Sequence, residues 1–233
     1  TVNTSSYREV VRIGQPFDDH NIGQIGFNPN ADPNDADYGN LYVAMGDGGN
    51  VFPPSTNDPH DLGQDLSFPH GSILRIDPLA SGGDPYSLPD NPFKVSNNLS
   101  NARNLIWAYG LRNPHRFTFD TAGDNAMLIT DIGQGSIEEV NLGVEGANYG
   151  WDLREGTFAT TSNVNVVSTL PGNHASDSFA YPVAQYDHIN NLVNQSVAIV
   201  GGSVYRGSGV PQLTGLYFFG DFATNSGPIF AVD

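Results

Sequence analysis

The chain has 233 residues, which is long enough for one large domain with a buried core. It has 25 acidic residues but only nine lysines and arginines, for a net charge of -16, and Lys94 is its single lysine. Because binding to phosphate backbones requires clustered cations, this balance argues against a nucleic acid partner. No apolar run approaches the roughly 20 residues of a membrane helix, and the lack of cysteine excludes disulfides and cysteine-bound zinc.

The predicted elements are short strands, because 27 glycines and 16 prolines leave little room for long helices. Three apolar segments share one form, a strand that ends with Gly and Asp, and they cover residues 41–47, 127–133 and 216–222. Each is preceded by another strand-like run, at residues 22–27, 117–120 and 200–206, and followed by a third, at residues 72–77, 137–142 and 228–233. This pattern predicts a repeated antiparallel meander.

The repeat has a long period. Its aspartates, Asp47, Asp131 and Asp221, are 84 and 90 residues apart, whereas a plain propeller blade takes roughly 40 to 50 residues. Either long loops or a further, undetected blade fill the difference. Polar stretches at residues 48–71 and 157–178 are predicted to be long loops. Repeated meanders favour an all-β propeller over a sandwich or barrel, with residues 1–233 forming one domain.

Four motifs follow one another along the chain. Residues 18–49 place a histidine after two acids and before a Gly-rich turn, and residues 108–120 contain LRNP. Residues 130–156 contain DIGQ and EEVNLGVEGANYGW, and residues 199–222 contain VYRG. In this order the motifs resemble the glucose/sorbosone dehydrogenase family. The resemblance implies a six-bladed β-propeller that uses pyrroloquinoline quinone (PQQ) with calcium.

The resemblance also implies that the chain covers about four of the six blades and is incomplete at both ends. An open propeller exposes unpaired strand edges, so missing blades or a second chain are expected as a partner. Family members of this kind are periplasmic or secreted. Their other partners are a small sugar substrate and an external electron acceptor.

Three residues are expected to be catalytic, two of them, His20 and Asp47, because they match positions of the family. His20 matches the family's general base, which takes the proton of the sugar C1 hydroxyl, and a neutral imidazole suits that task near neutral pH. Asp19 is expected to orient the imidazole or to accept a sugar hydroxyl, and Asp47 matches a position near the substrate. Alternatively, His20 is a solvated side chain in an Asp-rich loop, and Asp47 caps a turn before the glycines.

Three further residues match cofactor contacts of the family. Arg112 and Asn113, in LRNP, are expected to contact PQQ, and the planar guanidinium can stabilise negative charge on a quinone oxygen. Arg206, in VYRG, stands where quinoprotein glucose dehydrogenase has a lysine that contacts PQQ. The alternative for Arg112 and Asn113 is a turn in which the arginine pairs with an acidic side chain.

Two calcium sites follow from the resemblance. Gly133 and Gln134 match positions whose backbone carbonyls hold the calcium of the cofactor, and hard cations prefer such oxygen ligands. Glu139 and Tyr149 match a second site, to which Tyr149 contributes its carbonyl. Alternatively, Glu139 belongs to an acidic strand that faces solvent.

The sequence thus favours a PQQ-dependent aldose dehydrogenase, in which His20 assists hydride transfer from the sugar C1 to calcium-bound PQQ. The alternative is a non-catalytic, calcium-binding propeller of the hedgehog-interacting-protein type, which binds proteins or glycans. DIGQ favours this alternative, because the quinoproteins have a proline at the position of Gln134, and Arg206 favours it as well.

Overall fold

The computed structural model of the chain describes residues 3–49, 62–160, 167–168, 178–188, 198–222 and 227–233. Regular structure in these ranges consists of fourteen strands and three single-turn 3-10 helices, at Thr4–Ser6, Ala102–Asn104 and Pro211–Leu213. The strands pair in antiparallel fashion in every sheet. The predicted all-β class is therefore confirmed. None of the helices in the described residues has the length and apolar character that a membrane span requires.

The first sheet is a four-stranded meander in which neighbours in sequence are neighbours in the sheet. Its strands are β1 (Ile22–Phe27), β2 (Leu41–Met45), β3 (Ser72–Ile76) and β4 (Ile106–Tyr109). Strand β3 is buried along its whole length, whereas β1 is largely exposed. A long connection, residues 77–105, separates β3 from β4. The sequence pattern predicted neither this connection nor strand β4.

The second sheet has the order β11-β7-β6-β5, so it is a meander whose last strand comes late in the chain. Its strands are β5 (Pro114–Phe119), β6 (Met127–Asp131), β7 (Ile137–Leu142) and β11 (Ala184–Asp187). A small three-stranded sheet lies in the connection from β7 to β11, with strands β8 (Arg154–Glu155), β9 (Phe158–Thr160) and β10 (Val167–Ser168).

The third sheet has three strands, β12 (Ile199–Val204), β13 (Tyr217–Asp221) and β14 (Ile229–Val232). Strand β5, the first of the second sheet, contacts both β1 and β12, the first strands of the other two sheets. Side-by-side first strands are the radial arrangement of a propeller. The four sheets are thus unequal: three are blade-like meanders, and the fourth is the small sheet.

The core fills the spaces between these blades. One cluster joins the first and second sheets and includes Tyr42, Trp107 and Phe117, whose rings meet edge to face. Another joins the second and third sheets through Val140, Ile199, Tyr217 and Phe219. A third cluster covers the far face of the first sheet, where the segment of residues 10–13 packs against β2 and β3.

In the described residues, long connections between strands, one of which carries the small three-stranded sheet, account for the repeat period. Asp47, Asp131 and Asp221 each lie at or just beyond the end of the second strand of their sheet, β2, β6 and β13. The added length lies in the connections between strands. Of the predicted long loops, residues 50–61, 161–166 and 169–177 lie outside the described residues.

Candidate active site

The site is centred on a buried pair of side chains, His20 and Asp47. The imidazole Nδ1 of His20 lies 2.6 Å from Oδ1 of Asp47. His20 is only 8% exposed, which excludes the alternative of a solvated histidine. Its backbone adopts φ of +46°, a left-handed conformation that is uncommon for a residue with a side chain. Strain of this kind is typical of functional sites.

Glycines allow the loop that carries His20 to approach β2 closely. A Cβ atom on Gly46 would lie 2.3 Å from the carbonyl oxygen of His20, and one on Gly49 would lie 2.9 Å from Cβ of Asp19. Asp19 accepts a hydrogen bond from the backbone N–H of His20 at 2.8 Å, and its carboxylate lies 3.7 Å from Nε2. Asp19 therefore both caps the turn and flanks the free nitrogen of the imidazole.

Asp47 is held by donors from three parts of the chain. Its Oδ1 accepts the backbone N–H of Gly49 at 2.9 Å, as well as facing His20. Its Oδ2 accepts the indole Nε1–H of Trp151 at 2.9 Å, and its backbone N–H donates to the carbonyl of Arg112 at 2.8 Å. Asp47 thus caps the turn, as one interpretation predicts, and holds the imidazole at the same time. The sequence analysis missed Trp151, although it lies only two residues beyond Tyr149 in the same motif.

A second group of side chains surrounds the guanidinium of Arg112. Its Nε and Nη2 donate to Oε1 of Gln134 at 3.0 and 2.6 Å. Its Nη1 donates to the carbonyls of Ile132 and Gly133 at 3.0 and 2.7 Å. The Cζ atom lies 5.6 Å from the centre of the Trp151 ring, which is within the range of a cation–π contact. Trp151 therefore contacts both groups of the site.

Asp131 fixes the backbone of the LRNP motif. Its carboxylate accepts the backbone N–H of Arg112 at 2.9 Å and that of Asn113 at 2.7 Å. Burial raises the pKa of Asp131 well above its usual value, and the nearby charge of Glu139 raises it further. The structure therefore brings Arg112, Asn113, Gly133 and Gln134 together around β6.

Glu139 and Tyr149 have separate sets of partners. Glu139, on β7, is buried, which excludes the alternative of a solvent-facing strand. It accepts hydrogen bonds from Nδ2 of Asn141 at 2.9 Å and from the backbone N–H of Gly156, and burial raises its pKa to about 7. The Tyr149 hydroxyl donates to the carbonyl of Leu142 at 2.7 Å. Burial raises the pKa of Tyr149 to about 12.

Arg206 lies apart from the Arg112 group, beyond the opposite end of β5. Its guanidinium makes two hydrogen bonds to the carboxylate of Asp120, the residue that follows β5. Those hydrogen bonds lower the pKa of Asp120. The contact of Arg206 with a cofactor stays a prediction from the resemblance.

The comparison with known proteins gives the family. The sequence model described as "Glucose / Sorbosone dehydrogenase" matches residues 18–231. The chain belongs to this family. It is 34% identical to the HIPL1 protein of Arabidopsis thaliana over 237 residues, which cover 94% of this chain and 30% of that protein. It is 32% identical to the aldose sugar dehydrogenase YliI of Escherichia coli over 116 residues, which cover 49% of this chain and 26% of that protein.

Solved structures of aldose sugar dehydrogenases share the fold. The apo form of the Escherichia coli aldose sugar dehydrogenase aligns with a TM-score of 0.58 at 23% identity, over 85% of this chain and 49% of that one. The PQQ-bound aldose sugar dehydrogenase of Streptomyces coelicolor aligns with a TM-score of 0.50 at 21% identity, over 82% of this chain and 45% of that one. The chain therefore spans less than half of these propellers and less than a third of HIPL1.

The residues around Arg112 fit the groups that the glucose/sorbosone dehydrogenase family implies. The carbonyl oxygens of Ile132 and Gly133 and the side-chain Oε1 of Gln134 converge on the guanidinium, and neutral oxygens are ligands that calcium prefers. The backbone carbonyl of Gln134, which the resemblance assigns to calcium, is not among these contacts. Four of the five N–H donors of Arg112 are used within the described residues, which leaves one for an anionic ligand such as PQQ.

The acidic side chains of the described residues do not form a cluster that could bind a metal ion. In the part of the chain that the structure describes, no group of three or more His, Asp or Glu side chains is arranged to hold a metal ion. Glu155, which the sequence analysis also missed, is engaged otherwise: its Oε1 accepts the backbone N–H groups of four consecutive residues, 134–137, at 2.8 to 3.2 Å. This carboxylate shapes the segment that carries Gly133 and Gln134.

Proposed function

We propose that this chain carries part of the active site of a PQQ-dependent aldose dehydrogenase, which oxidises the C1 hydroxyl of a sugar. The observation that carries the proposal is the buried contact of 2.6 Å between His20 Nδ1 and Asp47 Oδ1. A histidine held in this way by a carboxylate has its other nitrogen available as a base. Membership of the family and the fold shared with sugar dehydrogenases support the choice of substrate class.

His20 and Asp47 would act on the proton of the substrate. Asp47 fixes the imidazole with its Nδ1–H toward the carboxylate, so that Nε2 takes the proton of the C1 hydroxyl. The negative charge of Asp47 then stabilises the imidazolium that forms. Asp19, 3.7 Å from Nε2, is placed to accept a hydrogen bond from a sugar hydroxyl.

The Arg112 group would bind the cofactor. When bound, PQQ supplies the quinone that accepts the C1 hydride. Arg112 supplies a fixed positive charge that favours an anionic ligand, with Asn113 beside it and Arg206 as the further contact that the resemblance implies. The carbonyls of Gly133 and Gln134 would hold calcium, as would Glu139 with the carbonyl of Tyr149. An external acceptor would reoxidise the cofactor in the periplasm or outside the cell.

A second candidate is a non-catalytic propeller that binds proteins or glycans. The match to HIPL1 covers 94% of this chain, whereas the match to YliI covers 49%. Gln134 also supports it, because its side chain binds Arg112, which a proline at this position could not do. The two candidates differ in whether PQQ binds and is reduced.

The test is a titration of the calcium-loaded chain with PQQ, followed by addition of an aldose such as glucose and measurement of quinone absorbance. We expect saturable binding and reduction of the quinone by sugar. His20→Asn is expected to bind PQQ normally but to lower turnover by about 100-fold or more, since general bases contribute 10²- to 10⁴-fold. Calcium binding without uptake of PQQ would favour the second candidate.

A further inference from the structure

Trp151 joins the two halves of the site. Its indole Nε1–H donates to Oδ2 of Asp47 at 2.9 Å, across 104 residues of sequence. Its ring lies 5.6 Å from the guanidinium carbon of Arg112. One side chain thus touches both the carboxylate that holds His20 and the guanidinium of Arg112.

The backbone of Trp151 is fixed on both sides. Its N–H donates to the carbonyl of Gly110 at 2.8 Å, and its carbonyl accepts from Nε2 of Gln64 at 2.5 Å. Gly63 packs so closely that a Cβ atom there would lie 2.7 Å from the Trp151 carbonyl. Trp151 is 3% exposed, so its indole is held by its surroundings and cannot rotate freely.

The two contacts have different chemistry and can be separated. An indole is a donor only, so its hydrogen bond fixes Oδ2 of Asp47 while Oδ1 holds the imidazole. With both oxygens engaged, the carboxylate cannot turn away from His20. The ring face attracts the guanidinium through its quadrupole, which needs an aromatic ring but no N–H.

We propose that Trp151 is a positioning residue, which orients His20 through Asp47 and holds Arg112 against its ring. The proposal rests on the proposed function for its catalytic consequence. Its structural part, the orientation of His20, is independent of any sugar or quinone.

Trp151→Phe separates the two contacts, because it keeps a ring and removes the N–H, whereas Trp151→Leu removes both. The matched control is Trp107→Phe. Trp107 is the other tryptophan of the chain; it is buried in the core between the first two sheets, and its Nε1 has no hydrogen-bond partner among the described atoms. Unfolding curves would verify that each variant folds.

The first measurement is quinone reduction by aldose. Trp151→Phe is expected to lower kcat by about tenfold to 100-fold, the equivalent of one hydrogen bond to a charged group, with little change in PQQ affinity. Trp151→Leu is expected to lower both kcat and PQQ affinity. Trp107→Phe is expected to change neither by more than about threefold. A normal kcat in Trp151→Phe, or an equal loss in Trp107→Phe, would overturn the proposal.

The second measurement needs no ligand. Nitrogen-15 NMR of labelled histidine reports which nitrogen of His20 carries the proton, with the signal assigned from His20→Asn. We expect the Nδ1–H form in the wild type and in Trp107→Phe, and a mixture of forms in Trp151→Phe. If the wild type reduces no quinone but this shift is seen, the proposed function fails and the positioning role stands. An unchanged spectrum in Trp151→Phe would refute the positioning role.

Discussion

Asp47 is the residue on which the distant parts of the site converge. It receives hydrogen bonds from a loop glycine of its own turn and from a tryptophan 104 positions later, and it faces an imidazole 27 positions earlier. Three donors are thus directed at the two oxygens of one buried carboxylate. The same three donors leave no polar group of the carboxylate unsatisfied, which is what a buried charge requires.

Asp47→Asn tests this role. The amide offers one acceptor oxygen, so its NH2 group would face either His20 or Trp151, both of which donate to the carboxylate now. We expect kcat for quinone reduction to fall by about 100-fold or more, comparable to loss of the base itself. Asp65→Asn, at a loop aspartate that caps the turn at Ser67, is the control and should keep its activity. Activity within about twofold of wild type in Asp47→Asn would contradict the role.

At the scale of elements, the segment of residues 132–137 is organised by a side chain from outside it. Glu155, on β8, accepts four consecutive backbone N–H groups with one oxygen and is 1% exposed. Gly133 has to be glycine here, because a Cβ atom would lie 1.9 Å from the carbonyl of Ile137. The small sheet therefore supports the loop that presents Gly133 and Gln134 to Arg112.

Glu155→Ala is expected to destabilise the protein strongly. It would leave four N–H groups without this acceptor. Those of Ser136 and Ile137 are buried, and each buried unpaired group costs about 1–3 kcal/mol. We expect a loss of about 3 kcal/mol or more in the free energy of unfolding, measured with urea. Glu9→Ala, which removes an exposed pair with Arg12, should leave the urea unfolding curve close to that of the wild type. A similar small change in Glu155→Ala would show that the segment does not depend on Glu155.

The pair of Arg206 and Asp120 joins the second blade to the third, because Asp120 follows β5 and Arg206 follows β12. The hydrogen bond from Arg206 lowers the pKa of Asp120 below its usual value of 3.8. A lowered folded-state pKa gives stability that is present above the unfolded pKa and is lost as pH falls through the folded one.

Arg206→Gln should therefore destabilise the protein near neutral pH. The difference in stability from the wild type is expected to shrink as the pH falls below about 4, because protonation of Asp120 removes the charge with which Arg206 pairs. Urea unfolding at pH 7, 5 and 3 measures this difference in the free energy of unfolding. Arg12→Gln, at an exposed arginine, is the control. A destabilisation that grows toward low pH would contradict the assignment.

The strands were predictable from sequence where apolar runs end in turn residues. Predicted runs at residues 22–27 and 137–142 coincide with β1 and β7, and the three Gly-Asp strands became β2, β6 and β13. Strand β11, with sequence AQYD, was missed because it is only half-buried and lacks an apolar run. The bond between Trp151 and Asp47 was not predictable, because nothing in either local sequence encodes a contact over 104 residues.

At the scale of the whole molecule, edge strands of the first and third sheets carry exposed apolar side chains. On β1, Ile25 and Phe27 are 58% and 54% exposed, and on β14, at the edge of the third sheet, Ile229 is 79% exposed. Exposed apolar strand edges are templates for pairing with another chain, and a charged residue there is the usual way to prevent it.

We expect the 233-residue chain to self-associate, and Ile229→Lys to weaken this association by placing a charge on the edge strand. The net charge of -16 opposes association, so the effect should be strongest in moderate salt, where surface repulsion is screened. Light scattering during size-exclusion chromatography, over a range of concentrations, measures it. Leu79→Lys is the control, since Leu79 is 71% exposed but lies outside the strands. The edge of the third sheet is not a pairing surface if the wild-type chain stays monomeric at every concentration. The same conclusion follows if Ile229→Lys and Leu79→Lys weaken association equally.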